Sequence, residues 1–472
     1  MADLLKPDLC VIGAGALGTA LAIAARRQGL EVVLVPRPHD AANDPTAGSL
    51  RRAAFMASAT QAQSLRDASR LGLGNAEPKP NFRTIAERAD AIADSVAARD
   101  TDERLSALGI MVLAHDALFI DRNTLRCGEA TIRPRQFALA TGSQPLIPPL
   151  PGLDGVSYFT PDNIGDNLRK LSHLVVIGGE PAALELAQAY CRLGSMVTLV
   201  PQGGLLPGFD PELVAILLRD LRAEGLVILD DAEVTAVHKR SQGTGIALKR
   251  GEDDDSLDVS HILIAMGRVP DLDAGLLDPA KLRRNRVSAD RLLLGDDGQT
   301  SSARITAIGG AAGSHDTHVA LRQASLLLDR LLGRGTGRLD PDILPRLIST
   351  QPPLAQLGPL QATLTRPGQF VLRSNLAEND AVRAQGPLQG VAKVITDANG
   401  AINAAGMVGQ GAGEVAAVLA IAMSNGLKLG DLAQLALPQP SVAAALLDLA
   451  DQFQAQRPKG GWKQKVSRLG RR

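Results

Sequence analysis

A glycine-rich turn near the start of the chain constrains its fold more than any other feature. Residues Val11 to Gly18 read Val-Ile-Gly-Ala-Gly-Ala-Leu-Gly, after a short apolar run and before an alanine-rich helical pattern. This is the order of strand, turn and helix in a dinucleotide-binding unit. Gly13 allows the tight turn, Gly15 lets a pyrophosphate approach the backbone, and Gly18 lets the helix pack closely on its strand. The pattern therefore predicts a nucleotide site at the amino end of that helix.

An altered copy of the same pattern lies in the middle of the chain. After the apolar run 174–177, the turn reads Gly178-Gly179-Glu180-Pro181-Ala182-Ala183. Glu180 stands where the second glycine belongs, so a side chain and a negative charge lie where a pyrophosphate must come close. The two halves are thus predicted to repeat one design, and the second is expected to bind NAD(P) weakly or not at all.

Neither copy keeps the acidic residue that accepts hydrogen bonds from the ribose hydroxyls at the end of the second strand. The predicted strand 31–35 continues into Pro36-Arg37-Pro38, and the strand 196–200 continues into Pro201. A proline side chain has no acceptor atom. Each lost acceptor is expected to weaken nucleotide binding by about 1–3 kcal/mol.

Composition excludes several classes of function. The chain has 472 residues, which suggests about three domains. Its 50 basic and 50 acidic residues balance, and only 2% of its residues are aromatic, so nucleic acid is not an expected partner. The three cysteines, Cys10, Cys127 and Cys191, lie too far apart to indicate a zinc site or a disulfide framework, and they fit a reducing compartment.

Targeting signals are not evident in the sequence. The first residues lack the apolar core of a signal peptide, and the longest apolar run, Val415–Met423, is much shorter than the ~18 residues of a membrane span. We therefore expect a cytoplasmic protein.

The last residues, 456–472, form a basic tail. From Arg457 onward there are seven Lys or Arg residues and no acid, and Trp462, Val466 and Leu469 would form one thin apolar stripe on a helix. Such a segment favours peripheral contact with an anionic membrane surface, or docking on an acidic partner protein. A solvated basic tail fits the sequence equally well.

Periodicity predicts the remaining elements in outline. Residues 53–108 have helical spacing that is interrupted near 72–80, so two helices and a loop are expected. The runs 117–121, 124–127 and 135–141 are expected to form a small meander that returns to the first sheet. A helix is predicted at 317–332. The segment from Pro341 onward is predicted to be α+β, with strands near 369–372, 390–396 and 401–408 and helices near 414–425 and 441–453.

Together these sequence features resemble those of one protein family. Two dinucleotide-binding units are followed by Ala307-Ile308-Gly309-Gly310, by a helix that begins Thr317-His318, and by an α+β segment. The stretch Ala140-Thr141-Gly142-Ser143 closes the first unit. The chain resembles the pyridine nucleotide–disulfide oxidoreductases, in particular the FAD flavoproteins similar to dihydrolipoamide dehydrogenase and mercuric reductase, from about residue 8 to 453.

The resemblance implies an α/β fold with two Rossmann-like dinucleotide-binding domains and a C-terminal α+β dimerisation domain. It implies an FAD-binding domain at 1–150, with the helical segment 53–108, and an NAD(P)-binding-like domain at 151–270. A central domain at 271–335 would complete the FAD site. The interface domain at 336–455 would form a homodimer.

The resemblance also assigns cofactor contacts. Arg52 and Glu185 occupy positions at which the family places a cation–carboxylate pair near the flavin edge, so we expect them to form an ion pair. Gly310 replaces the aspartate that holds the ribityl chain in the family. The residues expected at the FAD site are Gly13, Gly15, Gly18, Arg52, Ala140, Thr141, Gly142, Glu185, Gly309, Gly310 and His318.

The catalytic groups of the family are missing. Asn43 and Gly48 stand where the two redox-active cysteines belong, and a thiolate is required for that chemistry. Gln439 and Ala444 stand where the family has its acid–base histidine and glutamate, and glutamine does not titrate. No catalytic residue and no metal site is therefore assigned.

Two interpretations remain open at this point. The first is a degenerate flavoprotein without disulfide reductase activity, which retains FAD or binds none and acts as a structural or regulatory subunit. The second is an active FAD-dependent oxidoreductase that uses NAD(P)H and passes electrons to a non-disulfide acceptor such as a quinone. Glu180 counts against the second. A partner bound by the basic tail is compatible with either.

Overall fold

The computed structural model describes residues 4–37, 45–97, 101–241, 243–335, 337–361, 368–386 and 389–456. The chain forms two compact units. The first contains the chain before residue 69 together with 74–207 and 224–340, and the second contains 69–73, 208–223 and the chain from 341 onward.

The first part of the chain builds most of a large parallel sheet and a small accessory sheet. Its strands are β1 Leu4–Leu5, β2 Leu9–Ile12, β3 Val32–Val35, β4 Met111–Val112, β5 Ala117–Asp121, β6 Thr124–Cys127, β7 Ala130–Ile132, β8 Gln136–Leu139 and β9 Ser143–Pro145. Its helices are α1 Ala16–Arg27, α2 Pro45–Asp67, α3 Phe82–Ala97 and α4 Asp102–Ala107. The accessory sheet has the order β1-β7-β6-β5.

The order of the large sheet follows from the burial of its strands. Every residue of β2, β3 and β8 is buried, as expected for parallel strands covered on both faces. Together with a later strand they form a five-stranded sheet in which β8, β2, β3 and β4 are neighbours in that order. The carboxyl ends of these strands therefore meet at one edge, which is where the Gly13 turn lies.

Two predictions for this region were wrong in detail. The helical segment contains a 23-residue helix that begins already at Pro45, then α3, and then a short third helix, α4, instead of two helices. The meander is closed by β7, not by the run 135–141, because Gln136–Leu139 pairs in parallel with β2 in the large sheet. The predicted interruption near 72–80 is present, between α2 and α3.

The middle of the chain repeats the strand, helix and strand pattern, as predicted. Its strands are β10 His173–Ile177, β11 Met196–Val200, β12 Val227–Ile228, β13 Ala232–Lys239, β14 Thr244–Arg250, β15 Asp253–Val259, β16 His261–Ile264, β17 Arg268–Pro270 and β18 Ile305–Ala307. Its helices are α5 Pro181–Arg192, α6 Pro211–Ala223, α7 Ala274–Leu277 and α8 Thr317–Leu331. Strands β12, β11, β10 and β16 form a parallel sheet in that order, and between β12 and β16 the chain forms the antiparallel sheet β13-β14-β15. Strand β18 pairs with β8 and is the fifth strand of the large sheet.

The second unit is an antiparallel sheet covered by helices. Its strands are β19 Arg346–Ile348, β20 Leu354–Leu357, β21 Phe370–Asn375, β22 Val391–Thr396 and β23 Ile402–Val408, in the order β19-β20-β23-β22-β21. Its helices are α9 Asp380–Arg383, α10 Ala412–Ser424, α11 Leu429–Leu432 and α12 Ala445–Gln456. Three of the strands and two of the helices lie within a few residues of their predicted positions, whereas β19 and β20 were not predicted. Helix α6 belongs to this unit as well.

A cluster of charged side chains ties α6 to this sheet. The ammonium of Lys393, in β22, lies 2.8 Å from Oδ2 of Asp210 and 2.9 Å from Oε2 of Glu212. Asp210 and Lys393 are both buried, with 1% of each side chain exposed. The pKa of Glu212 is lowered to about 2, first because Arg373 donates hydrogen bonds to its carboxylate and also because Lys393 does.

None of the helices in the described part of the chain is both long and apolar enough to cross a lipid bilayer.

Candidate functional site

The first glycine turn is closed by contacts that only glycine allows. Gly13 has φ +108°, and a Cβ on it would lie 2.3 Å from the carbonyl oxygen of Ala140. A Cβ on Gly18 would lie 1.9 Å from the carbonyl oxygen of Gly13. Helix α1 therefore packs directly on the turn, as the spacing of the three glycines predicts.

The amino end of α1 is suited to an anion. Gly15 is the residue that caps the helix, so the cap carries no side chain of its own, and the first turn contains no acidic residue. Backbone N–H groups and the positive end of the helix dipole therefore face the turn without a competing carboxylate from the helix itself.

The loop after β8 forms the neighbouring wall. The amide of Ala140 donates to the carbonyl of Ile12 at 2.8 Å, which holds the loop beside the glycine turn. The hydroxyl of Thr141 is buried and has no hydrogen-bond partner among the residues that the structure describes. A buried hydroxyl of this kind usually finds a partner, so an adenine dinucleotide whose diphosphate lay on the amino end of α1 would fit these residues.

Gly310, which stands where the resemblance predicts an aspartate, is closely surrounded by backbone. A Cβ on Gly310 would lie 2.6 Å from the carbonyl carbon of Gly142 and 2.8 Å from the amide of Ser143. Backbone thus occupies the space that an acidic side chain would need. The amide of Gly309 donates instead to Oε1 of Gln323 at 2.7 Å, within the fold. His318 is exposed in the first turn of α8.

An ion pair that no sequence pattern predicts lies at this edge of the sheet. Arg37 donates from Nη1 to Oδ2 of Asp271 at 3.0 Å and to the carbonyl of Thr141 at 3.4 Å. The amide of Asp271 in turn donates to the carbonyl of Gly142 at 3.0 Å. The only sequence signal was a cation at 37, directly after the proline that replaces the ribose-binding acid.

A cavity of about 470 Å³ lies beside this ion pair. Its polar lining consists of Arg37, Gln144, Asp271, Asp273, Arg284 and Asp290. Its size is in the range of small-molecule sites, and charges of both signs line it.

The predicted pair of Arg52 and Glu185 is present. Nε of Arg52 lies 3.0 Å from Oε2 of Glu185, and the Glu185 side chain is 7% exposed. The same two helices also meet through the rings of Phe55 and Tyr190, with centroids 5.1 Å apart. Helix α2 therefore packs against α5, the helix that follows the second glycine turn. The role of the pair at the flavin edge stays a prediction.

No thiol lies where the family places its dithiol. Gly48 is exposed in α2, and Asn43 lies outside the described residues. Cys10 is buried in β2, Cys127 is buried in β6, and Cys191 lies in α5. Burial raises the pKa of all three thiols, so none of them is a ready thiolate at neutral pH.

The positions of the acid–base pair carry no titratable group. Gln439 is exposed, and Ala444 is half-buried at the end of a short 3₁₀ turn, Val442–Ala444. The sequence contains no histidine after His318, so no other imidazole is available in the second unit.

The second glycine turn is built differently from the first. Glu180 itself caps α5, and Pro181 is the first residue of that helix. The loop after β11 lies against the turn, since the amide of Leu206 donates to the carbonyl of Gly179 at 2.8 Å and a Cβ on Gly179 would lie 1.9 Å from the carbonyl oxygen of Gly204. A carboxylate at the amino end of the helix disfavours a second anion there. Weak NAD(P) binding therefore remains our expectation.

The basic tail from 457 onward, including Trp462, Val466 and Leu469, lies outside the described residues. Its membrane or acidic-protein partner stays a prediction from the sequence.

Comparison with known proteins identifies the family. The family model described as pyridine nucleotide-disulphide oxidoreductase matches residues 7–324, and that of its dimerisation domain matches 344–450. A mercuric reductase of Streptomyces lividans is 30% identical over 459 residues, which cover 94% of this chain and 96% of the relative. A dihydrolipoyl dehydrogenase of Thermus scotoductus is 26% identical over 466 residues, covering 95% and 98%.

Solved structures agree in fold. The HOCl-induced flavoprotein disulfide reductase RclA of Escherichia coli, in its Cu(II) complex, superposes with a TM-score of 0.80 at 22% identity, over 95% of this chain and 99% of RclA. With two nucleotide-binding sheets, the glycine turn and the dimerisation domain in place, the chain belongs to the pyridine nucleotide–disulfide oxidoreductase family of FAD-dependent oxidoreductases.

Proposed function

We propose that this chain is a flavoprotein of the family that has lost disulfide reductase chemistry and acts as a structural or regulatory subunit. The observation that carries the proposal is the absence of cysteine from residues 11–126, which include the whole of α2 and the segment before it. FAD, when bound, supplies two-electron transfer between a nicotinamide and an acceptor. The dithiol that would take those electrons in the family is not encoded here.

Two further observations support the proposal. The three thiols lie on β2, β6 and α5, with raised pKa values, so they do not substitute for the missing pair. The second unit offers Gln439 in place of an acid–base histidine. The first glycine turn, by contrast, keeps the features that fit a diphosphate. The family's dithiol and its acid–base pair are thus both missing from this sequence, whereas the first glycine turn is kept.

The first test is a reductase assay on the full-length protein. We expect no NADH- or NADPH-dependent reduction of lipoamide or of Hg(II) above the rate without protein, because electron transfer to these acceptors requires a thiolate pair. A matched double variant, N43C/G48C, places two thiols at the family positions without touching the described core. The same assay on it tests whether the thiols are the missing part.

The outcomes separate the two interpretations. Turnover of either substrate by the wild-type chain would contradict the proposal. An absorption spectrum recorded without oxygen tests the second interpretation, an active oxidoreductase with a non-disulfide acceptor. Loss of the flavin band on addition of NADH or NADPH, followed by its return on addition of a quinone, would establish that activity. A flavin band that neither nucleotide changes supports the subunit role.

We also propose that the chain forms a homodimer through residues 336–455. The dimerisation-domain match supports this proposal, and so does the apolar surface of the second unit, where Ile421 of α10 is 62% exposed and Leu347 of β19 is 40% exposed.

Ile421→Glu is expected to shift the chain from dimer to monomer in sedimentation velocity, because a buried unpaired carboxylate at an interface is strongly unfavourable. Leu321→Glu is the matched control, since Leu321 is 48% exposed on α8 of the first unit. An unchanged dimer with I421E would place the interface elsewhere.

A further inference from the structure

We propose that a basic hairpin, residues 281–293, is a binding surface for an anionic lipid membrane. The hairpin carries five Lys or Arg residues and one acid, Asp290, which lines the cavity described above. The inference goes beyond the proposed function and does not depend on it, because the hairpin contributes no residue to either glycine turn.

Backbone pairing in the hairpin fixes which of its side chains face outward. Arg284 and Leu292 form an antiparallel bridge, and the amide of Leu293 donates to the carbonyl of Arg283 at 2.9 Å. Leu292 is buried, so the bridged pair faces the fold. Because successive residues of an extended strand point to opposite sides, Arg283 and Leu293 face away from it. Both are exposed, Leu293 to 44%.

The turn at the end of the hairpin is closed by the side chain of Asn285. Its Oδ1 accepts from the amide of Val287 at 2.8 Å and from the amide of Ser288 at 3.3 Å. This leaves Arg286 exposed and Val287 94% exposed at the apex. No other large apolar side chain in the described part of the chain is more than 65% exposed. The apex is therefore a projecting point with an apolar side chain on it.

The cations of the hairpin are not neutralised by neighbouring carboxylates. Arg284 lies 3.9 Å from Oδ1 of Asp278, on the inner side. The other four form no ion pair with any residue that the structure describes; they are Lys281, Arg283, Arg286 and Arg291. Arg122 adds a further cation at the base, since it donates to the carbonyls of Ala280 and Lys281 at 3.2 and 3.4 Å. The exposed side of the hairpin is thus an uncompensated positive surface.

Lys281 is held in a backbone conformation that a lysine rarely adopts. Its φ is +50° and its ψ is +46°, the left-handed region that favours glycine. Apart from glycines, the only other described residue with a positive φ is Leu206. Strain of this kind costs stability and persists chiefly where a side chain has a task. At Lys281 the strained residue adds an exposed cation to the start of the hairpin.

Charge, shape and the apolar apex together select a membrane as the partner. Each Lys or Arg beside an anionic leaflet strengthens binding about fivefold. A residue as exposed as Val287 marks a convex tip, which offers no groove to an extended peptide. The hairpin contains no aromatic ring on which a nucleobase could stack. A valine flanked by cations gains from entering the boundary between lipid headgroups and acyl chains.

The test is co-sedimentation of the full-length protein with vesicles of phosphatidylcholine, and with vesicles of phosphatidylcholine and phosphatidylglycerol in equal parts. We expect binding to the mixed vesicles only, and we expect NaCl at about 1 M to abolish it, because the Debye length then falls to about 3 Å. The double variant R283E/R286E is expected to lower the partition coefficient about 25-fold or more, since it removes two cations and adds two anions.

The matched control is R135E/R240E, which changes the net charge by the same amount. Arg135 and Arg240 are 62% and 49% exposed and lie outside the hairpin. We expect this control to bind the mixed vesicles at least tenfold more tightly than R283E/R286E does. All of these proteins keep residues 457–472, so any contribution of the basic tail cancels in the comparison.

Two single variants separate the charge from the apolar apex and from folding. Lys281→Gly is expected to weaken binding about fivefold, with a thermal unfolding temperature equal to or above that of the wild type, because glycine relieves the positive φ. Val287→Ser is expected to weaken binding severalfold and to leave its salt dependence unchanged, because it removes apolar contact and no charge.

A loss of binding in R283E/R286E that R135E/R240E does not share supports the inference. Equal losses in the two double variants, wild-type binding by R283E/R286E or by either single variant, or no binding of the wild type to the mixed vesicles would overturn it. Stronger hairpin-dependent binding to polyglutamate or to RNA than to the mixed vesicles would also overturn it, in favour of another partner. None of these outcomes depends on the result of the reductase assay.

Discussion

Replacement of Lys393 by methionine is expected to lower the free energy of unfolding of the C-terminal unit by about 3–5 kcal/mol. The Lys393 ammonium is buried in β22 and touches the carboxylates of Asp210 and Glu212. Removing it leaves the Asp210 carboxylate, itself 1% exposed, without its cation in a poorly solvated place. The cost of an uncompensated buried charge, rather than the value of the ion pair itself, sets the size of this effect.

Chemical denaturation followed by far-UV circular dichroism measures the loss. The matched control is the double variant D210N/K393M. An asparagine at position 210 keeps a side-chain oxygen that can accept from the amides of Glu212 and Leu213 at the start of α6, as Oδ1 of Asp210 does, and it removes the buried charge. We expect the double variant to recover most of the lost stability. A loss below about 1 kcal/mol in K393M would contradict this expectation.

Gly18→Ala and Gly48→Ala are expected to change stability in opposite directions, although both residues lie in helices. Alanine is the better helix former by about 1 kcal/mol. At Gly18 the new Cβ would lie 1.9 Å from the carbonyl oxygen of Gly13, so α1 or the turn must move, at an expected cost of about 1–3 kcal/mol. At Gly48 nothing lies within 4 Å of a Cβ, so G48A is expected to stabilise the protein by up to about 1 kcal/mol.

Thermal unfolding and FAD titration of the two variants check this expectation. G18A should also weaken dinucleotide binding, because the moved turn carries the amide groups that face the diphosphate. G48A should leave binding unchanged, and it serves as the control for helix propensity. A G18A protein as stable as the wild type would show that α1 does not pack on the turn as closely as the structure indicates.

The sequence by itself predicted the two strand–turn–helix segments at residues 9–27 and 173–192, because a buried parallel strand and a glycine turn are local patterns. Val11–Gly18 predicts a strand, a turn and a helix within a span of about 20 residues, and the structure has all three. The absence of a dithiol is likewise a statement about residue types at Asn43 and Gly48, and no fold can supply the missing sulfur. The resemblance to the family added the prediction that Arg52 and Glu185, which lie far apart in the sequence, form an ion pair.

Only the tertiary structure decided which side chains meet across the sheet. Arg37 and Asp271 are 234 residues apart, and Lys393 and Asp210 are 183 apart. Neither pair is visible in any local pattern, because each depends on strand order and on how far a side chain reaches once the strands are packed. The same holds for Gly310, where backbone from Gly142 and Ser143 fills the space of a side chain. Periodicity encodes which face of an element is buried, whereas contacts between distant residues are set by packing.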